Sequence, residues 1–402
     1  MSIAPQLTSN PSSTPRDVLS RAAALIPMLQ AAAPKAEELR RLQDESVQAM
    51  RAAGLFRVAV PQRFGGYQFD LRSAFDVYAE IGQACGSTGW VSMILATCNW
   101  LASLFPEPAV QDVFSKNPDA CVAGVFGSRG SSFETVEGGY RVSGFWPFCS
   151  GCHHAQWVLL SAPAKNEQGQ VVDEYMFLIP TSDIVINDDW KVTGLRATGS
   201  NSVSTKSVFV PRHRVASMGD LAMGKPPNEH AASIPVYRAP FVPLLAVVLV
   251  APMLGMAKAA LAHFKARLPQ RGIIYTTYTQ QGEAPVTHLQ LGEASVKYEA
   301  AEALTYKVID EITQAAEKNE SLSIERRARI RADAAFAARL LLEAVELLFL
   351  ASGGSAIAEG NPIQRIARDI HAANLHGVIN LATNLETYGR VLVGLAPNTH
   401  LL

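Results

Sequence analysis

The chain has 402 residues, 48% of them apolar, with 35 basic and 36 acidic side chains and a formal net charge of −1. That length allows two or three domains or one large enzyme, and that apolar share supplies a sizeable core and excludes wholesale disorder. The balanced charge leaves no electrostatic footprint for nucleic acid or an anionic membrane, and five cysteines without framework spacing fit a reducing cytoplasm.

Residues 1–15 are rich in Ser, Pro and Thr and are expected to form a mobile tail without a secretory signal. Residues 16–118 read as a helical domain. From Arg16 to Ala53, Leu39, Leu42, Val47 and Met50 recur at helical spacing, and Gly54 supplies a C-cap. After a short extended piece and the turn Pro61–Gly66, Asp70 to Ala84 repeats the helical pattern. Ser87 and Thr88 are expected to cap a third helix running from Gly89 to about Leu104.

Residues 119–216 change character. Six short alternating runs, Cys121–Phe126, Phe133–Val136, Tyr140–Phe145, Gln156–Ser161, Glu174–Pro180 and Val203–Val210, are separated by turn residues and predict an all-β domain, a barrel or a sandwich. Residues 217–402 are helical again, with long segments near 243–268, 284–318, 323–352 and 362–394 that predict a four-helix bundle. The uncharged run Ala239–Ala257 is interrupted by Pro240, Pro243 and Pro252, and reads as a buried core helix rather than a membrane span.

The stretch Gly139–Trp157, GYRVSGFWPFCSGCHHAQW, reads as a strand that bends into a loop. Trp146 or Phe148 offers a flat aromatic wall, Ser150 a hydroxyl, and Gly151 close backbone approach, which suits a planar heterocyclic cofactor. A β-bulge with a buried Trp fits the same residues equally well. Cys149-Ser-Gly-Cys152-His153 matches the CxxCH pattern, but no export signal accompanies it, no thioredoxin-like context surrounds it, and no second ligand pair completes a zinc site.

Gly194 to Ser202 is a second cofactor candidate: two glycines with Thr198, Ser200 and Ser202 supply donors for phosphate or flavin edge atoms, and an ordinary β-turn fits as well. No GxGxxG heads a βαβ unit and no Walker A motif is present, so a nicotinamide dinucleotide is not bound in the Rossmann manner. In the last helical segment Asp369, Ala372, Ala373, His376, Asn380 and Thr383 are expected to share one helix face. His371 lies about 140° away at roughly 100° per residue. The residues alone allow His376 to be a surface histidine satisfied by Asp369 or solvent.

The order of helical domain, β domain and four-helix bundle, an α+β arrangement, resembles the acyl-CoA dehydrogenase superfamily. The resemblance is carried by Ala53-Gly-Leu-Phe, Val60-Pro, Gly65-Gly66, Cys85-Gly-Ser-Thr-Gly-Trp90, Gly194-Leu-Arg-Ala-Thr-Gly-Ser-Asn201, Val210-Pro211 and Arg368-Asp369. Within it, Trp146-Pro-Phe-Cys-Ser150-Gly-Cys and Gly89-Trp90 are similar to the oxygenase components of two-component flavin-dependent monooxygenases. The dehydrogenase branch needs a carboxylate base in the last helical region, commonly a Glu following Arg-Asp, and here no Glu appears until Glu386.

The resemblance implies reduced flavin, FMNH2 or FADH2, supplied by a separate NAD(P)H-dependent flavin reductase. It implies O2 as co-substrate, C4a-hydroperoxyflavin as oxidant, a small aromatic substrate, phenolic or indole-type, and a homotetramer. Ser150 is then expected near flavin N5 with Trp146, Phe148, Gly151, Thr198 and Ser200 around the cofactor. His376 becomes the acid/base, and Trp90, Cys98, Ala372, Ala373 and Asn380 line the substrate. Several hydroxylase relatives carry His where Cys98 stands, which points here to a less polar ring. An acyl-CoA dehydrogenase-type flavoprotein and a non-catalytic flavin-binding protein are the alternatives.

Overall fold

The structure is a computed structural model that describes residues 12–127, 129–399 and 402. Most of the expected tail therefore lies outside the described residues, and its end belongs to a helix. Thr14 and Asp17 form a reciprocal capping box for helix α1 (Pro15–Leu39). The single helical pattern expected from Arg16 to Ala53 is two helices. Arg40, at φ 57°, turns the chain out of α1, and α2 (Asp44–Ala52) follows, closed by Gly54 at φ 80°. Helix α3 (Leu71–Gly82) is capped by the Asp70 carboxylate, which accepts the Ser73 N–H.

Helix α4 (Gly86–Ala102) starts three residues earlier than expected, so Ser87 and Thr88 sit inside its first turn and Cys85 takes the cap position. All of its residues except Ile94 are buried. This explains an apolar composition all round the helix: it runs through the middle of the molecule rather than along its surface. Its one fully buried amide, Asn99, spends its polar groups joining domains. Nδ2 donates to the carbonyls of Phe56 (3.0 Å) and Ala120 (2.9 Å), and Oδ1 accepts the Val122 N–H (2.9 Å). Helix α5 (Glu107–Phe114) then leads into the β domain.

The expected barrel takes the form of two facing four-stranded sheets. The strands are β1 (Val122–Val125), β2 (Arg129–Val136), β3 (Gly139–Trp146), β4 (Trp157–Lys165), β5 (Val171–Pro180), β6 (Val185–Ile186), β7 (Val203–Pro211) and β8 (Val215–Ser217). One sheet has the order β1-β4-β5-β8 and the other β2-β3-β7-β6. Aromatic side chains lock the two faces together: Phe133 stacks on Tyr175 (5.4 Å, 16°), and Tyr140 meets Phe177 edge-on. The six expected runs are all strands, and only the very short β6 and β8 escaped the sequence pattern.

The C-terminal part adds α6 (Met218–Ala222), α7 (Glu229–Ser233), α8 (Phe241–Val248), α9 (Ala251–Arg267), α10 (Pro285–Glu317), α11 (Ile324–Ala351), α12 (Pro362–Asn374) and α13 (Leu381–Leu392). The apolar segment Phe241–Gln270 is long enough to cross a membrane, yet 83% of its most apolar window is buried within the fold. The segment expected as one helix from 362 to 394 is broken. α12 ends at Asn374, and His376 and Asn380 each cap a new turn, so the proposed continuous face from Asp369 to Thr383 does not exist.

Small residues let α3, α4 and α9 approach backbone to backbone. A Cβ on Gly89 would lie 2.7 Å from Cα of Gly82, and one on Gly255 would lie 2.6 Å from the same atom. Gly255→Ala is therefore expected to destabilise the fold by about 1–3 kcal/mol through overpacking. Gly292→Ala, inside α10 past its second turn, where an added Cβ meets nothing within 4 Å, should stabilise it by about 0.4–1 kcal/mol. Urea unfolding of the two variants checks the opposite signs.

Candidate active site

The loop after β3 begins with a side chain that sequence reasoning placed wrongly. Trp146 does not form a cofactor wall. It is fully buried between the sheets, and its Nε1 donates to the Ser161 carbonyl at 2.7 Å. The aromatic ring at the surface of this loop is Phe148, 64% exposed, with the Trp190 ring edge-on to it at 6.0 Å. Phe148 is held at φ 67°, an unusual conformation for an aromatic residue. Leu195, in the facing loop, is at φ 51°. Two non-glycine residues in the left-handed region, one in each loop, mark a place where the surrounding structure over-determines the backbone.

The two loops are bonded together. Cys149 N–H donates to the Asn201 carbonyl and Gly151 N–H to the Thr198 carbonyl, both at 3.0 Å. Gly151, at φ 73°, lies on α4, where an added Cβ would stand 3.1 Å from Val91 and Leu95. Its close approach is thus to protein and not to open space. Between Cys149 and Gly151, the buried Ser150 hydroxyl accepts the Trp90 Nε1–H at 3.2 Å and meets the Ser200 hydroxyl at 2.7 Å. Ser200 meets Thr198 Oγ1 at 2.6 Å, and Thr198 donates to the Leu195 carbonyl at 2.8 Å. Ser150, Trp90, Thr198 and Ser200, drawn from two expected clusters and a helix, are one group.

Asp369 anchors that group from the other side. Its Oδ1 accepts the Leu195 N–H at 2.7 Å, so it serves the loop and not His376. Its Oδ2 is buried without a hydrogen-bond partner, close to where a Gly86 Cβ would stand. Burial pushes the Asp369 carboxyl up to about 7, against which the Leu195 N–H pulls it down. Arg368 beside it pairs with Glu37 at 2.9 Å and donates to the Thr193 carbonyl. Arg368 and Asp369 together hold the start of the 194–202 loop.

His376 lies beside Trp90, with ring centroids 5.7 Å apart. Its Nδ1 accepts the Val378 N–H at 3.3 Å, which leaves the proton of the neutral ring on Nε2. Desolvation by the surrounding protein pushes its pKa down to about 4, so the ring is neutral through the physiological range. His371 is half-exposed and pairs with Glu346 at 3.0 Å, away from this place. Ala372 packs toward Gly194, Ala373 is in the core, and Asn380 caps α13 through the Thr383 N–H. None of the three flanks His376 in the manner expected from a helix face. Cys98 is buried against Gly124 as a neutral thiol, its pKa pushed up to about 12 by burial.

The residues present fit a flavin edge. Ser150 Oγ makes two bonds to protein and, as a hydroxyl with one proton and two lone pairs, keeps one hydrogen-bonding position in reserve. The exposed Phe148 ring stands two residues before it in the same loop, and the indole bonded to it has the neutral His376 imidazole alongside. Sequence reasoning missed Trp190 and the Leu195–Asp369 bond, because both join segments distant along the chain and neither carries a local spacing signal.

A family model described as acyl-CoA dehydrogenase, N-terminal domain, matches residues 22–111, and one described as acyl-CoA dehydrogenase, C-terminal domain, matches residues 247–381. The chain belongs to the acyl-CoA dehydrogenase family. The flavin-dependent monooxygenase oxygenase subunit HsaA of Rhodococcus jostii is 35% identical over 378 residues, covering 94% of this chain and 98% of the relative. The FADH(2)-dependent resorcinol hydroxylase, oxygenase component, of a Rhizobium species is 32% identical, covering 94% and 95%. The solved structure of XiaF from a Streptomyces species, in complex with FADH2 and glycerol, matches with a TM-score of 0.91 at 31% identity, covering 96% of this chain and 98% of that one. Within the acyl-CoA dehydrogenase family the chain groups with flavin-dependent monooxygenases and is an enzyme of that class.

Asp369 gives this family member a pH signature. Its folded pKa, near 7, is above the ordinary 3.8, so the fold favours its protonated form. That contribution is fully present below about pH 4 and is lost as pH rises through about 7. Asp369→Asn keeps an acceptor for the Leu195 N–H and cannot ionise. Its stability relative to the parent, measured by urea unfolding from pH 4 to pH 8, should therefore rise across that window; a pH-independent difference would contradict the assignment.

Proposed function

We propose that the protein is the oxygenase component of a two-component system that hydroxylates a small aromatic substrate, phenolic or indole-type. It takes FMNH2 or FADH2 from a separate NAD(P)H-dependent flavin reductase, together with O2. The observation that carries this reading is the Ser150 hydroxyl, buried, fixed by Trp90 and Ser200, with one hydrogen-bonding position in reserve, and with a neutral histidine against the same Trp90 ring. When bound, reduced flavin supplies the electrons that activate O2 for transfer of one oxygen atom to the ring. Ser150 holds the flavin at its N5 edge, with Phe148 against the cofactor and Thr198 and Ser200 behind Ser150. Trp90 and the apolar α4 exclude water, which favours oxygen transfer over loss of peroxide. His376 presents Nε2–H as a hydrogen-bond donor to the substrate oxygen or to the oxygen being transferred. Cys98, a neutral thiol in an apolar setting, favours a ring with few polar substituents.

The dehydrogenase reading lacks its base. Asp369 is committed to the Leu195 N–H, and Glu386 is exposed on α13. A homotetramer is supported by apolar side chains left exposed on the bundle, Val286, Leu289 and Val296 along α10 and Leu385 and Leu392 on α13. Five free, buried cysteines suit a cytoplasmic location.

The protein alone, with oxidised flavin added, should not consume NADH or NADPH, and turnover should begin on adding a flavin reductase. Steady NADH consumption without a reductase would sink the assignment. His376→Ala should lower hydroxylation by about 10²-fold or more, as loss of an oriented donor to a developing negative charge does, and flavin affinity far less. His371→Ala, whose ring pairs with Glu346 elsewhere, should be mild. Equal effects of the two substitutions would remove His376 from the mechanism.

A further inference from the structure

Four hydrogen bonds run in series through the site: Trp90 to Ser150, Ser150 to Ser200, Ser200 to Thr198, and Thr198 to the Leu195 carbonyl. The series has two fixed ends. The indole Nε1–H only donates and the carbonyl oxygen only accepts. Three hydroxyls lie between, each with one proton, so four protons must serve four contacts. One arrangement alone gives every contact a proton. Thr198 donates to Leu195, Ser200 therefore donates to Thr198, and Ser150 donates to Ser200. Any reversal leaves two lone pairs facing each other at 2.6 to 2.8 Å in a buried place.

We propose that Ser200 and Thr198 are positioning residues that commit the Ser150 proton to the protein, so that Ser150 Oγ can only accept from the cofactor and the site selects flavin by redox state. This rests on the reading above that Ser150 faces flavin N5. Reduced flavin carries a hydrogen on N5 and donates it to the remaining Ser150 lone pair. Oxidised flavin carries a bare lone pair on N5 and needs a donor there. With the Ser150 proton spent on Ser200, the oxidised ring meets lone pair against lone pair. The anchored end makes the commitment firm: Leu195 is itself fixed by Asp369, and its carbonyl also receives the Trp190 indole N–H at 3.2 Å. The relay therefore favours entry of the reduced cofactor and departure of the oxidised one at the end of a cycle.

The test is the ratio of dissociation constants for oxidised FMN and anaerobic FMNH2, measured on the full chain, with FAD and FADH2 as a second pair. The parent should bind the reduced form more tightly. Ser200→Ala frees the Ser150 proton, and the ratio should fall about tenfold or more because the oxidised form gains a donor. Thr198→Val, nearly isosteric, removes the hydroxyl that accepts the Ser200 proton, so that Ser200 can donate to Ser150 and free the Ser150 proton; it should move the ratio in the same direction, which covers the case in which Ser200→Ala does not fold. Thr198→Ser keeps the hydroxyl and should keep the ratio. Simple loosening of the loop would weaken both redox forms together and leave the ratio unchanged. An unchanged ratio in Ser200→Ala and Thr198→Val, with the parent still binding reduced flavin, overturns the relay alone. A parent that binds neither redox form overturns the functional reading as well.

Discussion

The site depends on one line of hydrogen bonds that crosses all three parts of the chain. It starts at Trp90 on α4, passes through Ser150 after β3 and Ser200 and Thr198 before β7, and ends at Leu195, whose N–H reaches Asp369 on α12. A neutral hydrogen bond contributes only about 1 kcal/mol net, but breaking one here strands a buried donor or acceptor and costs about 1–3 kcal/mol. The line is therefore better understood as a geometric constraint than as a source of stability. It requires that the helical domain, the sandwich and the C-terminal helices dock in one relative position before the whole line is made, because the bonds of Trp90 to Ser150, Ser150 to Ser200 and Leu195 to Asp369 join distant segments.

The same demand explains the polar residues that look out of place in the interior. Asn99 on α4 bonds to Phe56, Ala120 and Val122, so the helix that carries Trp90 is tied to the first β-strand at its far end. Asp369 is the more expensive device. A fully buried carboxylate with one unpartnered oxygen resists ionisation, and its raised pKa records the cost. What it secures is Leu195 at positive φ, a conformation that a leucine does not keep unaided. Arg368 and Glu37 add an ion pair at the edge of the same junction, between α1 and α12.

How much of this was legible in the sequence follows from the range of each interaction. Strand alternation in the β domain and helical spacing in the bundle are local, and the layer order came out of them directly. Boundaries failed where a local rule met a tertiary one. Ser87 and Thr88 have cap chemistry, yet α4 begins earlier because Gly86 must lie against Asp369 and Met256. The pattern from 362 to 394 keeps helical periodicity through the break, since His376 and Asn380 have side chains that can cap as well as fill a helix face. Trp146 was misread because a strand-end tryptophan looks alike whether it faces a pocket or the opposite sheet. Ser150, Thr198 and Ser200 were each visible as polar loop residues, but their mutual contact spans some fifty positions and has no spacing to betray it.

The break after α12 also changes what His376 can do. On a continuous helix, a histidine beside an aspartate is a natural titrating base. At the start of a new turn, with Nδ1 capping the Val378 N–H, the ring has a fixed tautomer and only a donor left to offer. Asp369, the expected partner, faces the loop instead. The protein groups gathered at Trp90 are thus uncharged: its own indole, the neutral His376 imidazole and the Ser150 hydroxyl. Under the proposed function, a developing negative charge on oxygen would be met there by an oriented N–H dipole rather than by a proton already in flight. On the proposed reading, the helix break, the buried carboxylate and the oriented serine answer one requirement, that proton positions be fixed before the cofactor arrives.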